Sequence, residues 1–346
     1  MHSVTQSIRR LFLLPLLIFC SFYLIFGIVP SQIRAENAPT VPGTPIRVGS
    51  VVGGHIHPAL CRAANGDLLA VYNEKGGGGK ELMLARSTDG GLTWSACQSI
   101  PTIKECSIYP GSLTTLKNNE IVLHWSCYRV EGTEIPLDDY TNYTCLRHPI
   151  LELDANRWVC PFYDRTVIYN RSKNMITPFG DGRNHGMVPL IRTNQGTLIS
   201  GAPQNEAPVP SGKPGNMVFG LRSNDQGQSW QPLQSLPYFG VAGYDLAALK
   251  QGPVVLTSIL YGVGRDDEWA YELQLSHDAG RTWDKDHAVI IYNPGRPIKG
   301  RGWPRTVQID DKTLGTLFYD LDPHQTGGPG VFFVRTPLAA LQTDEH

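Results

Sequence analysis

Ser87-Thr88-Asp89-Gly90-Gly91-Leu92-Thr93-Trp94 recurs twice more in this chain, as Ser223-Asn224-Asp225-Gln226-Gly227-Gln228-Ser229-Trp230 and as Ser276-His277-Asp278-Ala279-Gly280-Arg281-Thr282-Trp283. The common pattern is S-x-D-x-G-x-[ST]-W. A phrase repeated at wide intervals marks a fold assembled from repeating units. Its chemistry is that of a turn. The Asp carboxylate accepts hydrogen bonds from nearby backbone N–H groups. The Gly two positions on tolerates a positive φ. The hydroxyl residue adds a local acceptor, and the Trp is large enough to wedge between neighbouring sheets. Each copy follows an apolar run, such as Leu82-Met83-Leu84-Ala85, that reads as a strand entering the turn.

The phrase matches the Asp box, and the chain resembles the sialidase-like β-propellers that carry it. The resemblance implies an all-β fold of six radially arranged blades. It also implies that the box joins the two outer strands of a blade on the face away from the active site, so Asp89, Asp225 and Asp278 are expected to be structural.

A second pattern, strand-turn-strand, precedes the boxes. His57-Pro58-Ala59-Leu60 leads through Asn65-Gly66-Asp67 to Leu68-Leu69-Ala70-Val71-Tyr72. Similar starts occur at Tyr109-Pro110, Val188-Pro189, Tyr244-Asp245 and Trp303-Pro304, and a sixth at His148-Pro149-Ile150-Leu151. The stretch from Asp154 to Trp158 reads alternatively as a decayed box. The first two boxes lie more than twice as far apart as the last two, so one or two blades between them lack the phrase. The expectation is a six-bladed β-propeller, with five blades the alternative. Ile46 to Val52 is expected to supply the missing outer strand of the last blade, which would join the chain ends and protect the remaining edges.

The predicted organisation is a signal peptide or membrane anchor over 1–35, a Pro-rich linker over 36–45, the propeller over 46–337 and a tail over 338–346. Arg9-Arg10, the apolar run Leu11–Val29 and the small residue Ala35 favour export, to a secreted or periplasmic location, with cleavage near Ala35. A membrane is a partner only if that segment is retained. The formal net charge of -1 leaves no basic footprint, so nucleic acid is not an expected partner. Beyond the leader lie Cys61, Cys97, Cys106, Cys127, Cys145 and Cys160; disulfides and buried free thiols are both open readings. No pair has zinc-finger spacing, and no cofactor or metal is expected.

In a propeller the starts of the innermost strands meet at the hub. Those positions hold His55, His57, Tyr109, His148, Arg183 and His185, then Tyr244, Asp245, Arg301, Trp303 and Arg305. This polar, cationic and aromatic set suits a carbohydrate carrying an acidic group, since Arg binds carboxylate bidentately. His57, Tyr109, Arg183, His185, Arg301, Trp303 and Arg305 are the expected substrate-binding residues. Glu74, Tyr244 and Asp245 are the expected catalytic ones.

The resemblance sharpens this list and also departs from it. Sialidases carry a substrate-binding Arg within Phe-Arg-Ile-Pro at the first inner strand; here the stretch is His55-Ile56-His57-Pro58, so Ile56 stands at the Arg position. Their Tyr nucleophile aligns with Trp303, whose indole has no such chemistry, which leaves Tyr244 as the nearest substitute. The two further carboxylate-binding arginines fall at Arg183 and at Arg301 or Arg305. The acid/base Asp falls near Asn73-Glu74, where Glu74 is a general acid if burial raises its pKa and otherwise a solvated loop residue. The glycines from Gly76 to Gly79 lack the residues of a phosphate loop and read as a loop tip. Tyr319-Asp320-Leu321-Asp322-Pro323-His324 reads as a solvated loop in preference to a metal site.

Three functions follow. The first is a secreted sialidase-like glycoside hydrolase on an acidic or modified sugar. The second is a lyase that uses His57 and His185, with Tyr109 or Tyr244, to cleave a uronate polysaccharide by elimination. The third is a non-catalytic carbohydrate-binding propeller.

Overall fold

A computed structural model describes residues 42–54, 56–75, 81–100, 106–129, 148–161, 166–180, 189–200, 218–236, 244–261, 269–295, 303–322 and 327–342. Segment 1–35 and the linker up to residue 41 lie outside them. So do the side chains of 106–111, 126–129, 218–220, 232–236, 260–261 and 269.

The strands are short and antiparallel, and they follow one another in the sheets as they do in the chain. After β1 (Ile46–Ser50), sheet I holds β2 (Ala59–Arg62), β3 (Leu68–Asn73), β4 (Leu82–Ser87) and β5 (Gln98–Ile100). Sheet II holds β6 (Cys106–Thr115) and β7 (Ile121–Arg129). Sheet III holds β8 (Leu151–Asp154), β9 (Arg157–Pro161), β10 (Thr166–Asn170) and β11 (Met175–Pro178). Sheet IV holds β12 (Leu190–Arg192), β13 (Leu198–Ser200), β14 (Val218–Ser223) and β15 (Gln231–Leu236). Sheet V holds β16 (Tyr244–Ala248), β17 (Val254–Tyr261), β18 (Trp269–Ser276) and β19 (Asp284–Tyr292). Sheet VI holds β20 (Arg305–Asp310), β21 (Thr313–Asp320) and β22 (Gly330–Pro337), completed by β1 on its outer edge.

The first strands surround an axis. β2 lies beside β6 and β20, β16 beside β20 and β12, and β12 beside β8. The chain is therefore a β-propeller with five four-stranded blades; sheet II has two strands among the described residues. β1 pairs antiparallel with β22, from Ile46 opposite Phe333 to Ser50 opposite Gly330, as expected for the closing strand. That pairing covers an edge that would otherwise expose unpaired backbone.

All three boxes occupy the turn between the third and fourth strands of a sheet, namely β4–β5, β14–β15 and β18–β19. In the first, Asp89 Oδ1 accepts the Ser87 hydroxyl at 2.8 Å and the Thr93 N–H at 2.9 Å, while Ser87 Oγ accepts from Gly91 N at 2.7 Å. The same bonds recur around Asp225 and Asp278. Hydrogen bonds from Ser223 and Ser229 hold the Asp225 carboxyl well below the usual carboxylate range. Each Trp packs against the preceding sheet in the ring. Trp94 meets Phe333 of sheet VI edge-on at 5.2 Å, Trp230 meets Phe179 just after β11 at 6.3 Å, and Trp283 packs on the cluster that includes Ile199 of sheet IV.

Asp154 is not a decayed box. It sits in the β8–β9 turn, between first and second strands, and accepts N–H bonds from Asn156 at 3.0 Å and Arg157 at 2.9 Å. The box position of sheet III is the β10–β11 turn, where Asn170 Oδ1 accepts from Lys173 N and the Ser172 hydroxyl at 3.0 Å each. The local chemistry survives there without the phrase.

The described thiols of Cys61, Cys97 and Cys160 are free. Burial pushes Cys61 up to about 11 and Cys160 up to about 12. After β22 the chain makes a 3-10 turn, Leu338–Leu341, whose two leucines pack with Ile291, Phe318 and Phe332.

Candidate active site

In every complete sheet the turn between first and second strands lies at the box end. Four such turns share one backbone bond, as in Ala63 N to Asp67 O and Thr193 N to Thr197 O. The starts of the first strands therefore lie at the opposite end, around the axis, and chemistry-bearing residues from four sheets gather there.

Arg305 opens β20 and is 3 % exposed. Its Nη1 lies 2.7 Å from His148 Nδ1, just before sheet III, and 3.1 Å from Asp245 Oδ1 on sheet V. Asp245 Oδ2 accepts the N–H of Thr306 at 2.9 Å, so the carboxylate clamps the first strands of sheets V and VI together. Trp303 packs between two imidazoles, with ring centroids 5.1 Å from His57 and 6.2 Å from His148. The His57 N–H donates to Asn73 Oδ1 at 2.8 Å, which ties the approach to sheet I to the end of its second strand. Below Asp245 a hydroxyl ladder continues the seam: Thr306 Oγ1 lies 2.5 Å from Thr257 Oγ1 and 2.9 Å from Thr316 Oγ1.

Trp303 has φ +52, a conformation disfavoured for a bulky side chain, and it precedes Pro304. Such strain costs on the order of 1–3 kcal/mol and persists only where surrounding contacts impose it. Here the cluster with Ile56, Tyr319 and Leu321 holds the indole in place.

The geometry corrects several expected roles. Tyr244 is buried on the opposite face of β16 from Asp245, in a cluster with Ile199, Leu246 and Leu256. Its hydroxyl has no hydrogen-bond partner among the described residues, and burial pushes its pKa upward, with Asp245 adding to the shift. A phenol in apolar packing that resists ionisation does not fit the nucleophile role. Arg305 is already matched by Asp245, so its charge is not free for a substrate carboxylate. Burial lowers the pKa of the guanidinium while Asp245 works against that shift. Asp245 is a partner to Arg305 and to Thr306 N. Glu74 is exposed at the end of β3, where its carbonyl accepts from Val52 N at 2.8 Å; none of the hub hydrogen bonds described above involves its carboxylate.

His57, Trp303, Arg305 and Asp245 do come together. Tyr109 lies in β6 opposite Ser126 with its side chain outside the described residues. Arg183, His185, Arg301 and His55 lie outside them altogether. Asp320 and Asp322 are buried, not solvated: Asp320 Oδ2 accepts the Tyr292 hydroxyl at 2.8 Å and Oδ1 accepts Asp322 N at 3.0 Å. At the Asn73-Glu74 position it is Asn73, not Glu74, that bonds into the hub, through His57 N; Glu272 was not singled out in the sequence. Glu272 is 7 % exposed on β18, accepts from the Gln274 amide, and has its pKa raised by burial. Its one visible signal was a charge inside the apolar run before the third box.

No protein family and no curated protein matches the chain. Solved structures do. An α-L-arabinofuranosidase from Fusarium graminearum, solved with an iminosugar inhibitor, matches with a TM-score of 0.57 at 12 % identity, over 87 % of this chain and 99 % of that one. The endosialidase of phage phi92 matches with a TM-score of 0.51 at 8 % identity, over 88 % of this chain and 70 % of that one. At these identities the likeness establishes the propeller fold.

Proposed function

We propose that this chain is an exported, carbohydrate-active propeller of the sialidase-like type, a glycoside hydrolase working at the hub on an acidic or modified sugar. The observation that carries this reading is the meeting of Asp245, Arg305 and His148, from three different sheets, within hydrogen-bond distance at the strand-start end. The cluster and the Trp303 indole are buried, so they would form the floor and support of a sugar pocket at that end and not its exposed face. The two solved relatives named above are glycosidases by name, which favours the same chemistry. Ala35 and the apolar run before it support export.

The test is release of chromophore or sugar from a panel holding aryl α-L-arabinofuranosides, sialosides and uronides. Turnover of one class that falls at least tenfold in Asp245→Asn supports the reading. Products absorbing in the ultraviolet from an unsaturated uronate would replace hydrolysis by elimination.

A second reading is a non-catalytic sugar-binding propeller. It is favoured by the mutual satisfaction of Arg305 and Asp245 and by the burial of Tyr244. Binding without turnover across the panel would select it.

A further inference from the structure

We infer that the seam between sheets IV and V, at the box end, holds an anion site built on Arg222 and Arg281 that takes a sulfate or phosphate group. The site lies at the opposite end from the hub and does not depend on the hydrolase reading.

Arg222 stands opposite Ile199 in the β13–β14 ladder, so the two side chains share one face of sheet IV. Ile199 packs with Leu246 and Leu256 of sheet V, and Ala279 and Trp283 of the third box pack on the same cluster. Arg222 therefore faces sheet V. Arg281 lies in the box between Ala279 and Trp283, on the other side of the seam. Arg222 is 9 % exposed, and its Nε is sealed from solvent with no acceptor among the described residues. A buried charge without a partner is costly, so it calls for an anion.

Sheet I shows the partner that sheet IV lacks. Arg86 occupies the same place in its own sheet, opposite Leu69 and one residue before its box. Its Nε donates to Asp67 Oδ2 at 2.7 Å, and its Nη2 reaches the same oxygen. Asp67 directly precedes β3. The residue directly preceding β13 is Thr197, whose hydroxyl donates to Asn224 Oδ1 at 3.1 Å. Arg222 thus keeps the cation of this pair without its carboxylate.

Sheet V adds a second cation. Arg281 stands where the first box has Leu92 and the second has Gln228. Burial lowers the Arg222 pKa, the Arg281 charge lowers it further, and Asp278 works against both. Asp278 is committed within its box. Its Oδ1 accepts from Ser276 Oγ at 2.8 Å and from Thr282 N at 2.9 Å, and its Oδ2 accepts from Thr282 Oγ1 at 2.7 Å. Two guanidiniums against one engaged carboxylate leave the seam positive. Arg281 is exposed, which gives an incoming ion access from the solvent side. A tetrahedral dianion offers oxygens to both planar forks at once.

The experiment titrates the full chain with sodium sulfate in a calorimeter, with ionic strength held constant by sodium chloride. The wild type should bind in a saturable way. Arg222→Met should weaken binding about tenfold or more, as expected for lost hydrogen bonds to a charged group. Thr197→Asp restores the carboxylate that Arg86 has in Asp67, and it should abolish binding with Arg222 still in place. That variant keeps the test decisive if Arg222→Met does not fold. Arg157→Met removes an exposed cation already matched by Asp154 and should leave binding unchanged. A sulfated oligosaccharide titrated in parallel identifies the source of the group: tighter binding than sulfate assigns it to a saccharide chain, and equal binding assigns it to the free ion. No sulfate binding by the wild type, or binding that survives Thr197→Asp or Arg222→Met unchanged, overturns the inference.

Discussion

Trp94 of the first box meets Phe333 of β22 edge-on, with ring centroids 5.2 Å apart at 68°. The same Phe333 ring lies against the backbone of Gly91, where an added Cβ would fall 2.1 Å from Cε1. The box is thus both a turn within sheet I and a socket for sheet VI.

Gly91→Ala should therefore act twice, through φ +89 and through the clash with Phe333. We expect a loss of about 3 kcal/mol or more, from left-handed strain of about 1–2 kcal/mol plus overpacking. Gly196→Ala is the control: its φ is +83 but nothing lies within 4 Å, so only the strain should appear. Denaturant melts of the two variants measure the difference.

Asp245→Ala leaves the buried Arg305 guanidinium without its anion. A loss of about 3–5 kcal/mol is expected for breaking a buried pair from one side. Replacing both residues, as in Asp245→Ala with Arg305→Met, should recover part of that loss. A double-mutant cycle in urea reports the coupling.

Tyr244→Phe removes a buried hydroxyl that has no partner among the described residues. Stability should hold or rise by about 1 kcal/mol, since an unsatisfied buried group carries a penalty. Turnover of any glycoside cleaved by the wild type should persist. Complete loss of activity with intact folding would restore Tyr244 to the chemistry.

Glu272 has a carboxyl whose pKa is raised, first by burial. A folded pKa above the unfolded one means that its contribution to stability is fully present below the unfolded value and lost as pH rises through the folded value. Glu272→Gln should flatten that decline and stabilise the protein near neutral pH. Melting temperatures of both forms from acid to neutral pH check the sign.

Burial also shields Cys61 and Cys160, and it raises both thiols. In the native protein a thiolate-seeking reagent should spare these two, with mass spectrometry locating the label. Unfolding in guanidinium should make both reactive.

The box was legible because its hydrogen bonds close within one turn, from Asp89 to Thr93, and need nothing distant. The turn at Asp154 offers the same local chemistry, so residue types alone did not separate a first-to-second turn from a third-to-fourth one. Asn170 does not read as a box residue in sequence, because an amide oxygen does the work of the carboxylate without the rest of the phrase. At the hub, the strand starts are where His57, Trp303 and Arg305 lie, which the repeat pattern in the sequence indicates. Which of Tyr244 and Asp245 faces sheet VI is a matter of strand rotation, and alternation in sequence does not fix it. The pairing of Arg305 with His148 joins sheets far apart in the chain, beyond the reach of any local pattern.

The seam between β1 and β22 also sets an order of events. During synthesis Ile46–Ser50 emerges long before its hydrogen-bonding partner Gly330–Pro337, with every other strand of the ring made in between. The newborn strand must wait, exposed and adhesive, until β22 has left the ribosome. Anything that shields it meanwhile guards the ring against closing on the wrong neighbour.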